Sequence, residues 1–287
     1  MTKMAGRLIR VLTGLAVAAG IAACDADARD DLVHLDQGWT QEVRTQFYHY
    51  PQGSRFMPRP WFVALERLDG QGRFADPDNL ARYGLLPSPA DGDWNPDALP
   101  VGFALEAADT RPGLGLTPDL ARQTDGLQQV GLTCAACHTA TVTVEGKPLR
   151  IDGAPAHFDF DSFYADLSQT VTATLLDAAR FARFAGRVLG DRAGDQGAQL
   201  KQAFARFQVA LAGDAALRRP VLESGYGRVD ALTQIVNSLA VRDQKVPANI
   251  RRVAAPTSYP PLWLTPQLEF VQWNPVAASP IGRNGGQ

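Results

Sequence analysis

Sulfur and imidazole side chains are scarce in this chain, which has three cysteines, three methionines and four histidines among 287 residues. Three cysteines cannot build the multiple disulfides that stabilise small secreted domains. Acidic and basic residues nearly balance, at 30 and 28, and we find no basic run, long charge block or internal repeat. The sequence therefore gives no argument for a nucleic-acid partner. A chain of this length can bury a sizeable core.

The N-terminus resembles an export signal. Lys3, Arg7 and Arg10 precede an apolar run over 11–23, which is too short to span a bilayer comfortably and suits a signal-peptide core. The run ends in Ile-Ala-Ala-Cys, with the cysteine at position 24, and this resembles the cleavage box of bacterial lipoproteins. Acyl chains on Cys24 would tether a soluble domain to a membrane surface.

This pattern predicts three segments: a lipoprotein signal peptide at 1–23, a tether at 24–37 and a single haem-c domain at 38–287. We expect the mature protein on the periplasmic side of a bacterial membrane, anchored by lipid. Ordinary cleavage near Ala23 or Ala28 is the alternative, and it would give a soluble periplasmic or secreted protein.

The most informative motif is Cys134-Ala-Ala-Cys137-His138. The spacing C-x-x-C-H is the attachment signature of a c-type haem. Each thiol can form a thioether to one haem vinyl group, and the histidine then supplies an axial nitrogen to the iron. We therefore predict one covalently bound haem c.

Three other interpretations of the motif stay open. A zinc site needs four ligands, and only His34, His49 and His157 could complete it if Cys24 carries lipid. A thioredoxin-like redox pair would follow a strand of a βαβ unit, and residues 125–133 do not resemble a buried parallel strand. A structural disulfide could join the two cysteines.

The sixth ligand of the iron is not fixed by the sequence. Electron carriers usually have a second axial Met or His, yet no methionine follows His138. His157, His49 and Met57 are the candidates, and an open iron that binds peroxide or oxygen is the alternative. Both histidines also have an ordinary structural interpretation, His49 in the core or on the surface and His157 in solvent.

Apolar periodicity predicts mostly helices after the motif. We expect one long helix over 160–189, further helices over 200–211 and 229–239, and a β-hairpin over 141–151 turning at Glu145-Gly146. Before the motif we expect a helix capped by Thr40 and another starting near Pro58, then long loops over 70–118. The predicted fold is mainly α, a cytochrome c-like haem domain with long loops and a small β-hairpin.

Seven segments of the mature chain resemble the N-terminal half of the di-haem cytochrome c peroxidase superfamily, in particular the branch that contains bacterial rubber oxygenase. These segments are 35–40, 47–54, 61–66, 131–139, 151–156, 227–232 and 258–263. The resemblance implies an all-α haem domain, an extracytoplasmic setting and peroxide or oxygen chemistry. It also implies that Cys134, Cys137 and His138 hold the haem.

The chain departs from that family because it has no second C-x-x-C-H. We interpret it as a divergent member, or as one truncated before a second haem-binding half. The expected function is electron transfer and redox chemistry, with a redox protein, peroxide or oxygen as partner. The alternatives are a membrane-tethered six-coordinate carrier without catalysis, and a non-catalytic remnant or binding module. No catalytic acid or base can be named; residue type alone suggests Gln52, Glu66, Glu106 and Arg228.

Overall fold

A computed structural model describes residues 31–107, 127–271 and 277–278. The predicted signal peptide and the predicted lipidation site at Cys24 lie outside these residues, as does part of the predicted loop region over 70–118. None of the helices within the described ranges is long and apolar enough to cross a membrane.

Helices dominate the second half of the structure. The seven α-helices of the described residues are α1 Gln41–His49, α2 Arg59–Ala64, α3 Pro77–Ala81, α4 Phe160–Leu176, α5 Ala178–Leu189, α6 Ala193–Arg218 and α7 Ala231–Arg242.

The strands are short. They are β1 Val33–His34, β2 Met57–Pro58, β3 Phe103–Glu106, β4 Gln129–Leu132, β5 Thr139–Val144, β6 Lys147–Asp152, β7 Arg228–Val229, β8 Thr257–Ser258, β9 Phe270–Val271 and β10 Ala277–Ala278.

The described strands form two three-stranded sheets and two two-stranded ribbons. In the first, β4 is the central strand and pairs antiparallel with β2 and β3. In the second, β6 is central, antiparallel to β5 and parallel to β1. The strands β7 and β8 form one antiparallel ribbon, and β9 and β10 form another. The motif therefore follows the last strand of one sheet directly and precedes the first strand of the next hairpin.

The predicted mainly α, cytochrome c-like haem domain is wrong. Helices account for 45% of the structure and strands for 16%, which makes the fold a mixed α/β arrangement, and the all-α domain implied by the family resemblance fails with it. The physical reason lies in strand length. Strands of two to four residues are too short to show a period-two pattern, and β4 gains its partners from residues far away in the chain.

Two local predictions are confirmed. Thr40 caps α1, because its hydroxyl accepts a hydrogen bond from the Val43 amide at 3.2 Å. The hairpin of β5 and β6 has the predicted turn at Glu145-Gly146, with Val144 paired to Lys147. Both features depend on side-chain chemistry within a few residues, so the sequence pattern was sufficient to find them.

The predicted long helix over 160–189 is wrong in one respect, because the chain breaks at Asp177. This residue ends α4 in an extended conformation, and its carboxylate accepts from the Arg180 amide at 3.0 Å, which caps α5. Aspartate competes for backbone amides and favours a helix start over a helix interior. The apolar period continues through the break, which is why the pattern alone did not reveal it.

The core is rich in aromatic rings and lies between the β2–β4–β3 sheet and the C-terminal helices. Phe163 of α4 packs within about 6 Å of Phe56 and Phe103, and Trp61 of α2 packs edge-on against Phe204 and Phe207 of α6. Edge-to-face pairs of this kind stabilise a core beyond their buried area. This core fixes the end of β4, from which the motif departs.

Candidate haem-attachment site

The C-x-x-C-H motif forms a tight turn directly after β4. Thr133 precedes a 3-10 turn at Cys134–Ala136, and its hydroxyl accepts from the Ala135 amide at 3.2 Å. The carbonyl of Cys134 accepts from the amides of both Cys137 and His138, at 3.2 and 2.9 Å. The turn brings both cysteines and the histidine onto one compact piece of backbone.

Two neighbours fix the turn from outside. The Thr133 hydroxyl lies 3.2 Å from the carbonyls of Phe47 and Tyr48 at the end of α1. Gly102 accepts from the Thr133 amide at 2.8 Å. A Cβ at Gly102 would lie 2.2 Å from the Ala136 nitrogen, and its φ of +90° favours glycine. Only a glycine lets the backbone before β3 approach the turn so closely.

His138 is oriented by a bond to the distant carbonyl of Pro260. Nδ1 donates to this oxygen at 2.8 Å, across 122 residues of sequence. Burial lowers the pKa of His138, so the ring is neutral at pH 7. The bond fixes the tautomer with the proton on Nδ1 and leaves Nε2 as the nitrogen that can ligate a metal.

The two cysteines differ in their surroundings. Cys134 is exposed, and both its amide and its thiol donate to Oε1 of Gln52, at 3.1 and 3.2 Å. Cys137 packs against the core beside Tyr259, and burial raises the pKa of its thiol to about 12. Cys137 is therefore protonated at neutral pH, unlike the activated thiolate of a redox pair or a zinc site.

The structure gives two further facts about the motif. Cys137 carries a free thiol, and the two cysteines, which both belong to the described part of the chain, are not joined to each other in the structure. Within the described ranges, no group of three or more His, Cys, Asp or Glu side chains is placed to hold a metal ion. Two thiols and an imidazole anchored through Nδ1 are a donor set that fits a covalently attached haem.

The three candidate sixth ligands lie in different surroundings. His49 is buried; Nδ1 donates to the Phe103 carbonyl at 2.8 Å, and Nε2 accepts from the Ser88 hydroxyl at 3.0 Å. Met57 is fully buried in β2, opposite Val130. His157 is exposed to solvent. Of these side chains, His157 alone combines an imidazole with an exposed position.

The residues suggested by type alone are also accounted for. Gln52 binds Cys134, as described above. Glu66 is paired with Arg180, Arg183 and Arg187 of α5, and Glu106 is paired with Arg55. Arg228 is exposed in β7. Only Gln52 of this set contacts the motif through a described bond.

Sequence reasoning missed a supporting group around Asp152, the last residue of β6. Its buried carboxylate accepts from Arg44 Nε at 2.9 Å and from the Tyr48 hydroxyl at 2.5 Å, both on α1. The next residue, Gly153, donates its amide to the His138 carbonyl at 2.8 Å. Segment 258–263 was among those that carried the family resemblance, but no local pattern pairs Pro260 with a histidine 122 residues away.

One cavity of the described residues lies apart from the motif. It has a volume of about 520 Å³ and is lined by Arg82, Tyr83, Asp159, Ser162, Ala165, Asp166 and Tyr226. Its lining is polar and includes none of the three motif side chains. It therefore adds nothing to the argument for haem.

Comparison with known proteins gives one curated relative. The chain is 33% identical over 274 residues to the uncharacterized protein y4iJ of Sinorhizobium fredii (strain NBRC 101917 / NGR234), a match that covers 90% of this chain and 44% of the relative. The chain thus spans less than half the length of the curated relative that it matches. No protein-family model matches the chain, and no solved structure matches it.

Proposed function

We propose that this chain is an exported redox protein that binds one haem c through Cys134 and Cys137, with His138 as an axial ligand of the iron, and that it transfers electrons. The observation that carries the proposal is the 2.8 Å bond from His138 Nδ1 to the Pro260 carbonyl. Histidines that ligate metals almost always donate their second ring nitrogen in this way.

Each residue of the proposed site has a separate task. Cys134 and Cys137 would hold the haem covalently, since their thiols can add to its two vinyl groups. His138 would offer Nε2 to the iron, and Pro260 fixes the orientation of the ring and makes the imidazole more basic. When bound, the haem supplies one-electron chemistry.

A finer proposal concerns the reaction. Peroxide or oxygen reactivity is the chemistry implied by the resemblance to di-haem peroxidases, and it requires an iron with an accessible sixth position. Support comes from His49, whose two ring nitrogens are both hydrogen-bonded, and from Met57, which is buried in the sheet. Binding of carbon monoxide to the ferrous protein tests this step. A six-coordinate spectrum that carbon monoxide leaves unchanged would instead support the electron carrier.

Covalent attachment is the primary test. The full chain is exported in a bacterial host that carries a haem c maturation system, and bound haem is measured by haem staining of denaturing gels and by the pyridine haemochrome spectrum. We expect one haem per chain in the wild type and severe loss in Cys134→Ala and Cys137→Ala. His157→Ala is the control and should retain its haem. A wild-type chain without covalent haem would refute the proposal and favour the remnant or binding module.

The proposed location has its own test. Lipid on Cys24 should place the exported protein in the membrane fraction, and Cys24→Ser should release it to the soluble fraction. Mass spectrometry of the N-terminal peptide would report the acyl chains directly. Unmodified peptide from a soluble wild-type protein would support the ordinary signal peptide instead.

A further inference from the structure

The segment 260–263 is attached to the end of β6 at two points. The Leu262 amide donates to the Gly153 carbonyl at 2.9 Å. One residue later, the indole Nε1 of Trp263 donates to the Asp152 carbonyl at 2.9 Å. Consecutive residues of one segment thus bind consecutive residues of the other, which fixes the position and the direction of the segment.

The same stretch of backbone also binds His138. The Gly153 amide donates to the His138 carbonyl at 2.8 Å, while the ring of His138 donates to Pro260 at 2.8 Å. His138 is therefore bound to Gly153 through its main chain and to segment 260–263 through its ring, so the ring bond depends on where this segment lies relative to Gly153. A shift of this segment would move the carbonyl away from Nδ1.

Asp152 is a firm anchor for this arrangement. Its carboxylate is bound by Arg44 and Tyr48, its side chain is wholly buried, and Gln37 donates to the same carbonyl that accepts from Trp263. Trp263 itself is 49% exposed. An exposed tryptophan whose N–H reaches a buried carbonyl contributes less to core packing than to the direction of the backbone that carries it.

We propose that Trp263 is a positioning residue of the haem site, and that its bond to Asp152 holds the Pro260 carbonyl against Nδ1 of His138. This inference rests on the proposed function, because it assigns Trp263 a role in orienting the iron ligand. Trp263 would touch neither the iron nor a substrate in this role. It would act through Pro260 and then through the imidazole.

The first experiment uses the haem-free full chain. Nitrogen-15 NMR at pH 7.5 reports the ring N–H of His138, which is assigned from its absence in His138→Gln. Trp263→Phe keeps an aromatic ring and removes the donor, so we expect the Nδ1–H proton to exchange with water about tenfold faster, as for the loss of one hydrogen bond. Trp94→Phe, which changes a tryptophan packed on Tyr50, should leave the exchange rate unchanged.

A second measurement covers the case in which Trp263→Phe alters the fold. Circular dichroism should be unchanged, and the Leu262 amide should also exchange faster, since it belongs to the same two-point attachment. Unchanged exchange of the His138 proton in a folded Trp263→Phe would overturn the inference. So would loss of all protected amides, because that result would make Trp263 a general stability residue.

The third measurement uses haem-loaded protein and separates the two proposals. A weaker bond at Nδ1 makes the imidazole less basic and disfavours ferric iron, so Trp263→Phe should have a more positive reduction potential with the same haem content, and Trp94→Phe should match the wild type. A wild type that attaches no haem would refute the proposed function while the NMR result still tests the attachment. Haem-loaded protein with an unchanged potential and unchanged exchange would refute the role of Trp263 alone.

Discussion

At the scale of single residues, Gly102 leaves no room for a side chain beside the motif. In Gly102→Ala the added Cβ would meet the Ala136 backbone at 2.2 Å, in a conformation that disfavours side chains. We expect a loss of at least about 2 kcal/mol in the free energy of unfolding, together with reduced haem attachment. Urea denaturation and haem staining measure the two effects.

The matched control for Gly102 is Gly146 in the hairpin turn. It also has a positive φ, of +80°, but a Cβ there would meet nothing within 4 Å. Gly146→Ala should cost about 1 kcal/mol from backbone strain alone and leave haem attachment intact. If both variants lose the same free energy of unfolding, the contact with Ala136 adds nothing to the cost of the backbone strain.

Glu66 makes the acid stability of the protein predictable. Hydrogen bonds from Arg183 and Arg187 lower the pKa of Glu66 to about 2, against 4.5 for a free carboxylate. The folded state therefore favours the charged form. The resulting stability is fully present above pH 4.5 and is lost as the pH falls towards 2.

Glu66→Gln should remove this contribution. We expect a loss of about 1–2 kcal/mol at pH 7, because Arg180 stays buried without its carboxylate, and a flatter decline of stability between pH 4.5 and 2. Denaturation midpoints at pH 7, 4 and 2.5 measure both. Glu145→Gln changes an exposed side chain in the hairpin turn and should behave like the wild type. The hypothesis fails if Glu66→Gln and the wild type lose stability in parallel as the pH falls.

The site residues that sequence could identify are those joined by a fixed local spacing. Cys134, Cys137 and His138 are such a set, and their assignment to a haem stays a prediction. Pro260 and Trp263 could not be found in this way, because a carbonyl acceptor can belong to any residue type and these residues lie more than 120 positions from the motif. The role of Gly102 could not be predicted either, since it depends on how closely its backbone approaches that of Ala136.

At the scale of elements, Asp230 does more than begin α7. Oδ1 accepts from the Thr233 amide at 3.2 Å, and Oδ2 accepts from the amides of Ala254 and Ala255 at 3.0 and 2.9 Å. The cap therefore also holds the strand-like segment that leads to β8. We expect Asp230→Ala to cost about 2 kcal/mol, from the lost cap and from the two further amides of Ala254 and Ala255, which lose their acceptor on residues that are themselves exposed.

Asp159 offers a simpler cap for comparison. Its carboxylate accepts from the Ser162 amide at 3.1 Å at the start of α4, and Asp159→Ala should cost about 1 kcal/mol. Equilibrium denaturation of both variants gives the difference. A loss in Asp230→Ala no greater than in Asp159→Ala would mean that the contacts to 254–255 contribute nothing.

Element length decided which predictions succeeded. The helices over 200–211 and 229–239 were predicted because the apolar period persists for three turns or more. The structure contains 200–211 within α6, but α7 begins only at Ala231, because Val229 belongs to β7 and Asp230 caps the helix. β2, β3 and β4 span two to four residues and draw their stability from pairing across the chain. No short stretch of sequence shows this long-range pairing. The sequence pattern therefore predicted a mainly α fold, which is wrong.

At the scale of the whole molecule, Asp214 joins three helices. Its side chain is 1% exposed. It accepts from the Tyr164 hydroxyl of α4 at 2.5 Å and from Arg218 of its own helix at 2.6 Å, and it also binds Arg242 of α7. Asp214→Asn should cost about 3 kcal/mol, because two arginines lose the charge that balances them.

The shape of the unfolding transition tests whether the three helices joined by Asp214 unfold together. Urea denaturation of Asp214→Asn should stay a single transition with an unchanged slope and a lower midpoint. Asp195→Asn changes an exposed residue near the start of the same helix and should stay within about 0.5 kcal/mol of the wild type. A separate early transition in Asp214→Asn would show that α7 unfolds on its own.

The parallel pairing of β1 with β6 has a consequence for distance. Val33 lies opposite Leu149, three residues before the Asp152 carbonyl that anchors Trp263. From Cys24 to Val33 the chain advances nine residues, which reach about 30 Å at full extension. If Cys24 carries lipid, the segment that links the domain to the membrane is short, and the motif would lie within a few nanometres of the bilayer. If the motif also binds the proposed haem, its electron donors and acceptors would be molecules that reside at, or travel along, the membrane surface.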